Sequence, residues 1–405
     1  MPYLQLTCWL LLALIFYTYL GYALLVGLAA ALRRRLWPAA PLAPFEPAVT
    51  LVVPAYNEAG ILDEKIANCL ALDYPTDKLR LLVITDGSTD DSAQVLARFP
   101  RLEHLHAAAR GGKAAAENRA MQHVATPFVV FTDANTQLNP GAVRALVRHY
   151  QDARVGSVSG EKKIRAQASA PGAGEGIYWR YESFLKRCDS ELCSLMGAAG
   201  ELVSFRTDLW QPLEADTILD DFVQSLRLVQ RGYRVVYEPA AYATEDASPS
   251  LPEEWERKIR ICAGGWQAMT RLTGLLNPLR QPLVTLLYVS HRVLRWSLAP
   301  LALALLLPLS LALALGSTGP AAGFYALLLA GQLALYGAAA LGWQQVARTG
   351  HTARPLVIPL FFSLMNVAVF QGFVRWARRA QPAAWVKASR PAGTPFSPAP
   401  AHFTP

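Results

Sequence analysis

An α/β domain inserted between transmembrane helices is the architecture this sequence predicts, on three observations. Residues 49–53, 79–84 and 128–131 are short apolar runs of strand length, and each stops abruptly at polar residues. Between residues 48 and 270 such runs alternate with amphipathic helical stretches, the pattern of a sheet with helices packed on its faces. Outside that region lie apolar runs at residues 4–32, 297–315, 321–343 and 355–374, each near the length that spans about 30 Å of hydrocarbon. Open sheets whose strands end in polar tips bind ligands along the carboxyl edge.

Composition agrees. The chain is 53% hydrophobic with a mean hydropathy of +0.21, more apolar than a soluble chain of this length. Its net charge of +8 suits nucleic acid, an anionic bilayer or phosphate-bearing ligands. The cations cluster beside apolar runs, at Arg33, Arg34 and Arg35, at Arg292 and Arg295, and at Arg375, Arg378 and Arg379. That placement favours membrane lipids as partners and excludes nucleic acid. The five cysteines are scattered without a C-x-x-C pair, so neither a zinc site nor a disulfide framework is expected. His104 and His106 read as the polar face of a strand, not as metal ligands.

From the amino end, residues 4–32 are uncharged, and the positive residues follow them instead of preceding them. That order marks a retained anchor, not a cleaved signal peptide, and puts the following domain in the cytosol. Residues 33–47 form a basic, proline-rich linker, and residues 48–270 the α/β domain. Residues 271–296 read as interfacial helices, with Arg292 and Arg295 on the polar face of an amphipathic segment. Residues 297–376 hold about three spans, and residues 377–405 a basic, then disordered tail. The spans contain a conflict. Three crossings after a cytosolic domain leave the C-terminus outside, yet Arg375, Arg378, Arg379, Lys387 and Arg390 favour the inside. Residues 283–290 joining a further crossing, or residues 355–374 only dipping into the bilayer, are the alternatives to three full spans.

The chemistry sits at the strand tips. Pro54-Ala55-Tyr56-Asn57-Glu58 sets a ring, an amide and a carboxylate where Pro54, Tyr56 and Glu58 can hold a base and ribose; alone, the same residues make an ordinary turn and helix cap. Asp86, at the second tip, can accept the N–H of a base imide, while Asp90 suits capping of the next helix. Gly111-Gly112-Lys113 opens a helix without P-loop spacing. The glycines let backbone approach an anion and Lys113 can meet a diphosphate, although a solvated lysine is the plainer reading. Asp133 and Asn135 close the third tip. Alternate residues on an extended tip point the same way, and two oxygen ligands suit Mg²⁺ or Mn²⁺.

Together these tips are similar to those of family 2 glycosyltransferases, whose Rossmann-like, nucleotide-diphospho-sugar-binding fold is called GT-A. The resemblance covers residues 48–270 and extends to the flanking helices of polysaccharide-synthase-like members, such as the hyaluronan, poly-N-acetylglucosamine and cellulose synthases. It implies that Asp86 and the first tip hold uridine and that Asp133 and Asn135 hold the metal and ribose-diphosphate region. The commoner family pattern is D-x-D, so Asn135 is a departure that lowers the charge offered to the metal. It implies an acceptor segment at Met196-Gly197-Ala198-Ala199-Gly200-Glu201-Leu202, with Gly200 and Glu201 beside the acceptor, although a tight turn also fits. Asp220-Asp221 stands at the family's T-E-D motif, with Asp221 as general base and Asp220 equally a helix cap. An ordinary carboxylate is ionised at neutral pH, so this base is expected to need position more than a tuned pKa. Arg257-Lys258-Ile259-Arg260-Ile261 lies where processive synthases carry Q-x-x-R-W. Arg260 keeps the arginine that meets donor diphosphate, the replaced glutamine and tryptophan weaken the case for processivity, and Trp266 is a ring that can stack on a sugar. The basic face of an interfacial helix is the other reading of that segment.

The implied function is inverting, metal-dependent transfer of a sugar from a nucleotide-diphosphate sugar, by resemblance a UDP-sugar. The implied acceptor is a glycan or a lipid-linked acceptor at the cytosolic face of a bacterial inner membrane, for exopolysaccharide or cell-envelope glycan. Two further readings stay open. One is a processive synthase that also translocates its polymer with a secretion partner or as a homo-oligomer, and the other a catalytically inactive sugar-binding membrane protein.

Overall fold

The computed structural model describes residues 1–38, 41–100, 102–165, 170–248 and 250–384, so the tail cations Lys387 and Arg390 lie outside the described residues. The chain opens with α1 (Pro2–Phe16), a π-helical turn (Tyr17–Gly21) and α2 (Tyr22–Leu36), which form one rod of 35 residues. The α/β domain follows: β1 (Val49–Ala55), α3 (Ala59–Leu70), β2 (Leu79–Asp86), α4 (Ser92–Ala97), β3 (Glu103–Ala107), α5 (Lys113–Met121), β4 (Phe128–Thr132), β5 (Gln137–Leu138), α6 (Ala142–Val147), β6 (Val155–Arg165), α7 (Ala170–Leu192), β7 (Leu202–Arg206), α8 (Asp220–Gln230), β8 (Arg234–Asp246) and α9 (Leu251–Arg271). Then come α10 (Pro282–Tyr288), a second π-helical turn (Val289–Val293), α11 (Leu294–Trp296), α12 (Leu298–Gly316), α13 (Gly319–Thr349) and α14 (Arg354–Ala377).

The sheet runs β3-β2-β1-β4-β7-β6-β8-β5. Its β3-β2-β1-β4 half is parallel, and β7 pairs antiparallel with β4 and β6. Alternation of side chains along each strand feeds two cores. Leu51, Val53, Val83 and Val130 pack on one face with α3 and α6. Val52, Leu82, Ile84, Val129 and Phe131 pack on the other with α5 and α8, and Tyr22, Ala23, Val26 and Ala30 of α2 belong to that same core. Half of the anchor rod is therefore part of the domain.

Two expectations are corrected. The third tip is not extended. β4 ends at Thr132, and residues 133–136 form a turn in which the Thr136 hydroxyl donates to the Asp133 carbonyl at 2.9 Å. The fully buried amine of Lys65, from α3, donates to Thr132 Oγ1 at 3.0 Å and to the Thr136 carbonyl at 2.8 Å, and so holds the turn. Arg292 and Arg295 do not form an outward polar face. Arg292 lies 2.8 Å and Arg295 3.1 Å from the carboxylate of Glu182 on α7. His291, fully buried between them and α7, contacts Asp189 at 2.5 Å and Glu182 at 3.3 Å. Two buried carboxylates on one face of α7, Glu182 and Asp189, draw these cations inward, because an unpaired buried charge is far costlier than a paired one.

Candidate active site

Parallel strands in the order β2-β1-β4 bring the three tips together. Pro54 is still within β1, in register with Ile84. Asn57 takes a φ of +53°, which asparagine tolerates better than most residues. It ties two tips, its N–H donating to Ser88 Oγ at 3.0 Å and its Oδ1 accepting the Thr89 N–H at 2.7 Å. Tyr56 lies under the Arg110 guanidinium, 3.7 Å from the ring centre. Glu58 is buried, and its N–H donates to Ser92 Oγ at 3.2 Å. Asp90 accepts the Ser92 N–H at 3.1 Å at the head of α4.

Asp86 is buried at the end of β2. Its carboxylate accepts the Gly111 N–H at 3.0 Å, the Gly112 N–H at 2.6 Å and an Arg119 guanidinium N–H at 2.5 Å. Gly112 takes a φ of +88°, which a side chain would disfavour. The backbone donors that the sequence offers to a phosphate are thus filled from within the protein, by Asp86.

The centre of the site is a cluster around Lys113. Its amine donates to Asp133 Oδ1 at 2.7 Å and lies 3.5 Å from Asp220 Oδ2. Gly200 closes over it: a Cβ there would stand 3.0 Å from Lys113 Nζ and 3.2 Å from Asp221 Oδ2. Burial pulls the Lys113 amine down, but Asp133, Asp220, Glu117 and Asp221 outweigh it and raise it well above its ordinary value. Burial, then the neighbouring Asp220, push the Asp221 carboxyl up to about 7, so the ordinary carboxylate range assumed for this base does not hold.

Glu117 escaped the sequence reading. One turn after Lys113 on α5, it is buried and shares a side-chain hydrogen bond with Asp220. Burial and Asp220 raise its carboxyl well above the usual range, the direction that favours the acid form beside Asp220. The i, i+4 spacing of Lys113 and Glu117 was the available signal.

Arg260 reaches the same cluster from α9. It donates to the Ile218 carbonyl at 2.8 Å, and its Nε is buried without a hydrogen-bond partner among the described residues. With Lys113, Asp220 and the Gly111–Gly112 backbone it lines a small pocket, to which Ala383, beyond α14, also contributes. Lys113 and Arg260 bring positive charge to this pocket, and the Asp220 carboxylate offsets part of it.

Two expected acceptor contacts are placed elsewhere. The Glu201 carboxylate accepts from Lys162 Nζ at 2.6 Å, and Lys162 also bonds Glu245. Burial would raise Glu201, but Lys162 wins and holds it at about 2. Trp266 stacks on Trp376 of α14, with ring centres 5.7 Å apart, and leans on Phe373, so its ring takes part in the contact between α9 and α14.

The donor atoms at the third tip suit a metal ion. Asp133 Oδ1 is taken by Lys113, while Oδ2 and the Asn135 amide have no hydrogen bond among the described residues. Both are hard oxygen donors, and they fit Mg²⁺ or Mn²⁺. Among the described residues no three His, Cys, Asp or Glu side chains gather as a cage, so a bound ion would need oxygens from the donor itself.

With this geometry in place, likeness to known proteins sharpens the assignment. The family description Glycosyl transferase family 2 matches residues 50–194, and Glycosyl transferase family group 2 matches residues 128–339, over half of the chain. The chain belongs to the family 2 glycosyltransferases. It is similar to the poly-beta-1,6-N-acetyl-D-glucosamine synthase of Staphylococcus aureus, 25% identical over 61% of this chain and 62% of that one. The Staphylococcus epidermidis protein of the same name is 23% identical over 55% of this chain and 56% of its own. The match thus spans less than two thirds of these relatives. The mannosyltransferase PcManGT from Pyrobaculum calidifontis, solved with GDP-Man and Mn²⁺, superposes with a TM-score of 0.68 at 25% identity, covering 92% of this chain and 99% of that one.

Proposed function

We propose that this glycosyltransferase moves a sugar from a nucleotide-diphosphate sugar to a glycan or lipid-linked acceptor at the membrane, by a single inverting displacement. The observation that carries the reading is the gathering of Asp133 and Asp220 within 3.5 Å of the Lys113 amine at the carboxyl edge of the parallel strands, with Gly200 and Asp221 packed beside them. Asp221 takes the proton of the acceptor hydroxyl as that oxygen attacks the anomeric carbon from the side opposite the diphosphate. Lys113 and Arg260 hold the departing diphosphate, and Gly200, having no side chain, lets the backbone sit directly against Lys113 and Asp221. Asp133 and Asn135 would hold a divalent ion, which neutralises charge on the leaving diphosphate.

A UDP-sugar is the donor we favour, by the likeness to N-acetylglucosamine polymer synthases. GDP-mannose is the second candidate, because the protein solved with it matches this chain over 92% of its length. The process we favour is exopolysaccharide or envelope glycan synthesis with the domain on the cytosolic face.

The test is donor cleavage by purified full-length protein with UDP- and GDP-sugars, in Mn²⁺, Mg²⁺ or chelator, reading free nucleoside diphosphate. Metal-dependent release from one donor, abolished in Asp133→Ala, is expected. Release that survives chelator and Asp133→Ala alike would overturn the metal assignment. No release from any donor, with or without added glycan and lipid acceptors, would favour the inactive sugar-binding reading.

A further inference from the structure

Four helices are long and apolar enough to cross a bilayer, the α1–α2 rod, α12, α13 and α14, yet their neighbours divide them. α1, α12 and the first part of α13 meet one another: Cys8, Leu306, Leu313 and Tyr325 form one buried cluster, and Trp9 stacks on Phe324 at 5.2 Å. α14 instead follows α9, a helix of the catalytic domain, from end to end. Leu251 packs with Val357, Leu360 and Phe361, Ile259 and Cys262 with Ala368 and Val369, and Trp266 with Phe373 and Trp376. Arg375 pairs with Glu256 at 2.7 Å. At Gly372 the two helices touch, where an added Cβ would stand 2.5 Å from Cys262 Cβ and 2.9 Å from the Ile259 carbonyl oxygen. Wherever α14 lies, α9 lies beside it, and α9 carries Glu253, Glu254, Glu256, Arg257, Lys258 and Arg260. That set of charges is strongly disfavoured at the depth of a bilayer core.

Helix lengths point the same way. The α1–α2 rod has 35 residues and α13 has 31. At 1.5 Å per residue they reach about 52 Å and about 46 Å, against about 30 Å of hydrocarbon. Both therefore project beyond the apolar core, and α14 attaches well along each of them. The Tyr19 hydroxyl donates to Asn366 at 2.5 Å, its ring lies 5.1 Å from Phe362, and Gly342 packs on Leu356 and Leu360.

We infer that α14 does not cross the bilayer: it lies along the leaflet on the catalytic domain's side, with Val367, Phe370 and Val374 against lipid. These three are 47%, 38% and 43% exposed, and their i, i+3, i+7 spacing puts them on one helical face. Exposed Arg378 and Arg379 follow that face and meet anionic headgroups. Only α12 and α13 then cross after the domain. The C-terminal cations stand on the domain's side, and the conflict between span number and charge disappears.

The side is read by protease digestion of full-length protein in sealed vesicles of both orientations. One epitope tag follows residue 405, and a second interrupts the exposed turn after Asp77. Both tags are expected to be lost from the same face. Loss of the C-terminal tag from the opposite face requires a third crossing and overturns the inference. Depth is read from nitroxides on Val367→Cys and Phe370→Cys in lipid nanodiscs. Both should report the headgroup boundary; a mid-bilayer depth, or full exposure to water, overturns it. Neither measurement reads transfer, so failure here is separable from failure of the proposed activity.

Discussion

Asp221 carries the sharpest residue-level consequence. Burial and Asp220 raise its carboxyl to about 7, so below that pH the acid form prevails and cannot take the acceptor proton. The transfer rate is expected to fall as pH drops through about 7, approaching tenfold per unit below it, and to level off above; kcat/KM measured from pH 5.5 to 9 checks this. Asp221→Asn should keep nucleotide binding by calorimetry and lose about 10²–10⁴-fold in transfer. Near-normal transfer in that variant would remove Asp221 from the base role. Glu117 offers a comparison of two variants. Glu117→Gln still presents an N–H to Asp220 and should cost little, whereas Glu117→Ala leaves a buried carboxylate short of a donor and should cost about 1–3 kcal/mol in stability. Equal thermal midpoints for the two would show that the proton on Glu117 does not matter.

At the scale of elements, the segment at residues 196–202 depends on one glycine. Gly197 takes a φ of +102°, and a Cβ there would lie 2.2 Å from the Phe222 ring, the residue next to Asp221. Gly197→Ala should therefore push α8 and the segment apart, lowering both the thermal midpoint and kcat; a variant with wild-type values would show the contact is soft. The same scale explains what the sequence disclosed. β1, β2 and β4 were legible because strands buried on both faces read as continuous apolar runs, and their tips announced Asp86 and Asp133. The turn at residues 133–136 was not legible, because it is held by Lys65, from a helix more than sixty residues upstream. Arg292 and Arg295 looked like lipid anchors for the same reason: their partner, Glu182, is remote in sequence. Glu117 drew no reading from the sequence, because its partner Asp220 is about a hundred residues away. Local patterning shows which residues are apolar, but only tertiary packing decides which charges meet.

Over the whole molecule, one buried ionic network joins the anchor, α7 and the segment before α12. Tyr22 donates to Asp189, His291 sits between Asp189 and Glu182, and Arg292, paired with Glu182, donates through Nε to the Met196 carbonyl at 2.6 Å. Glu182→Ala would remove the carboxylate that buried Arg292 and half-buried Arg295 both contact, and about 3–5 kcal/mol of destabilisation is expected, read as a lowered unfolding midpoint in detergent. An unchanged midpoint would mean that water reaches this network. The network ends at Met196, just before Gly197 and Gly200, so α2 and the segment packed against Asp221 share one support. The placement of Tyr22, Ala23, Val26 and Ala30 in the domain's own core has a practical side. A shortened protein beginning at residue 48 would expose the greasy seat those four side chains fill and would clump during purification. A shorter catalytic form should therefore keep α2 and change its outward leucines, Leu24, Leu25 and Leu28, instead of starting after it.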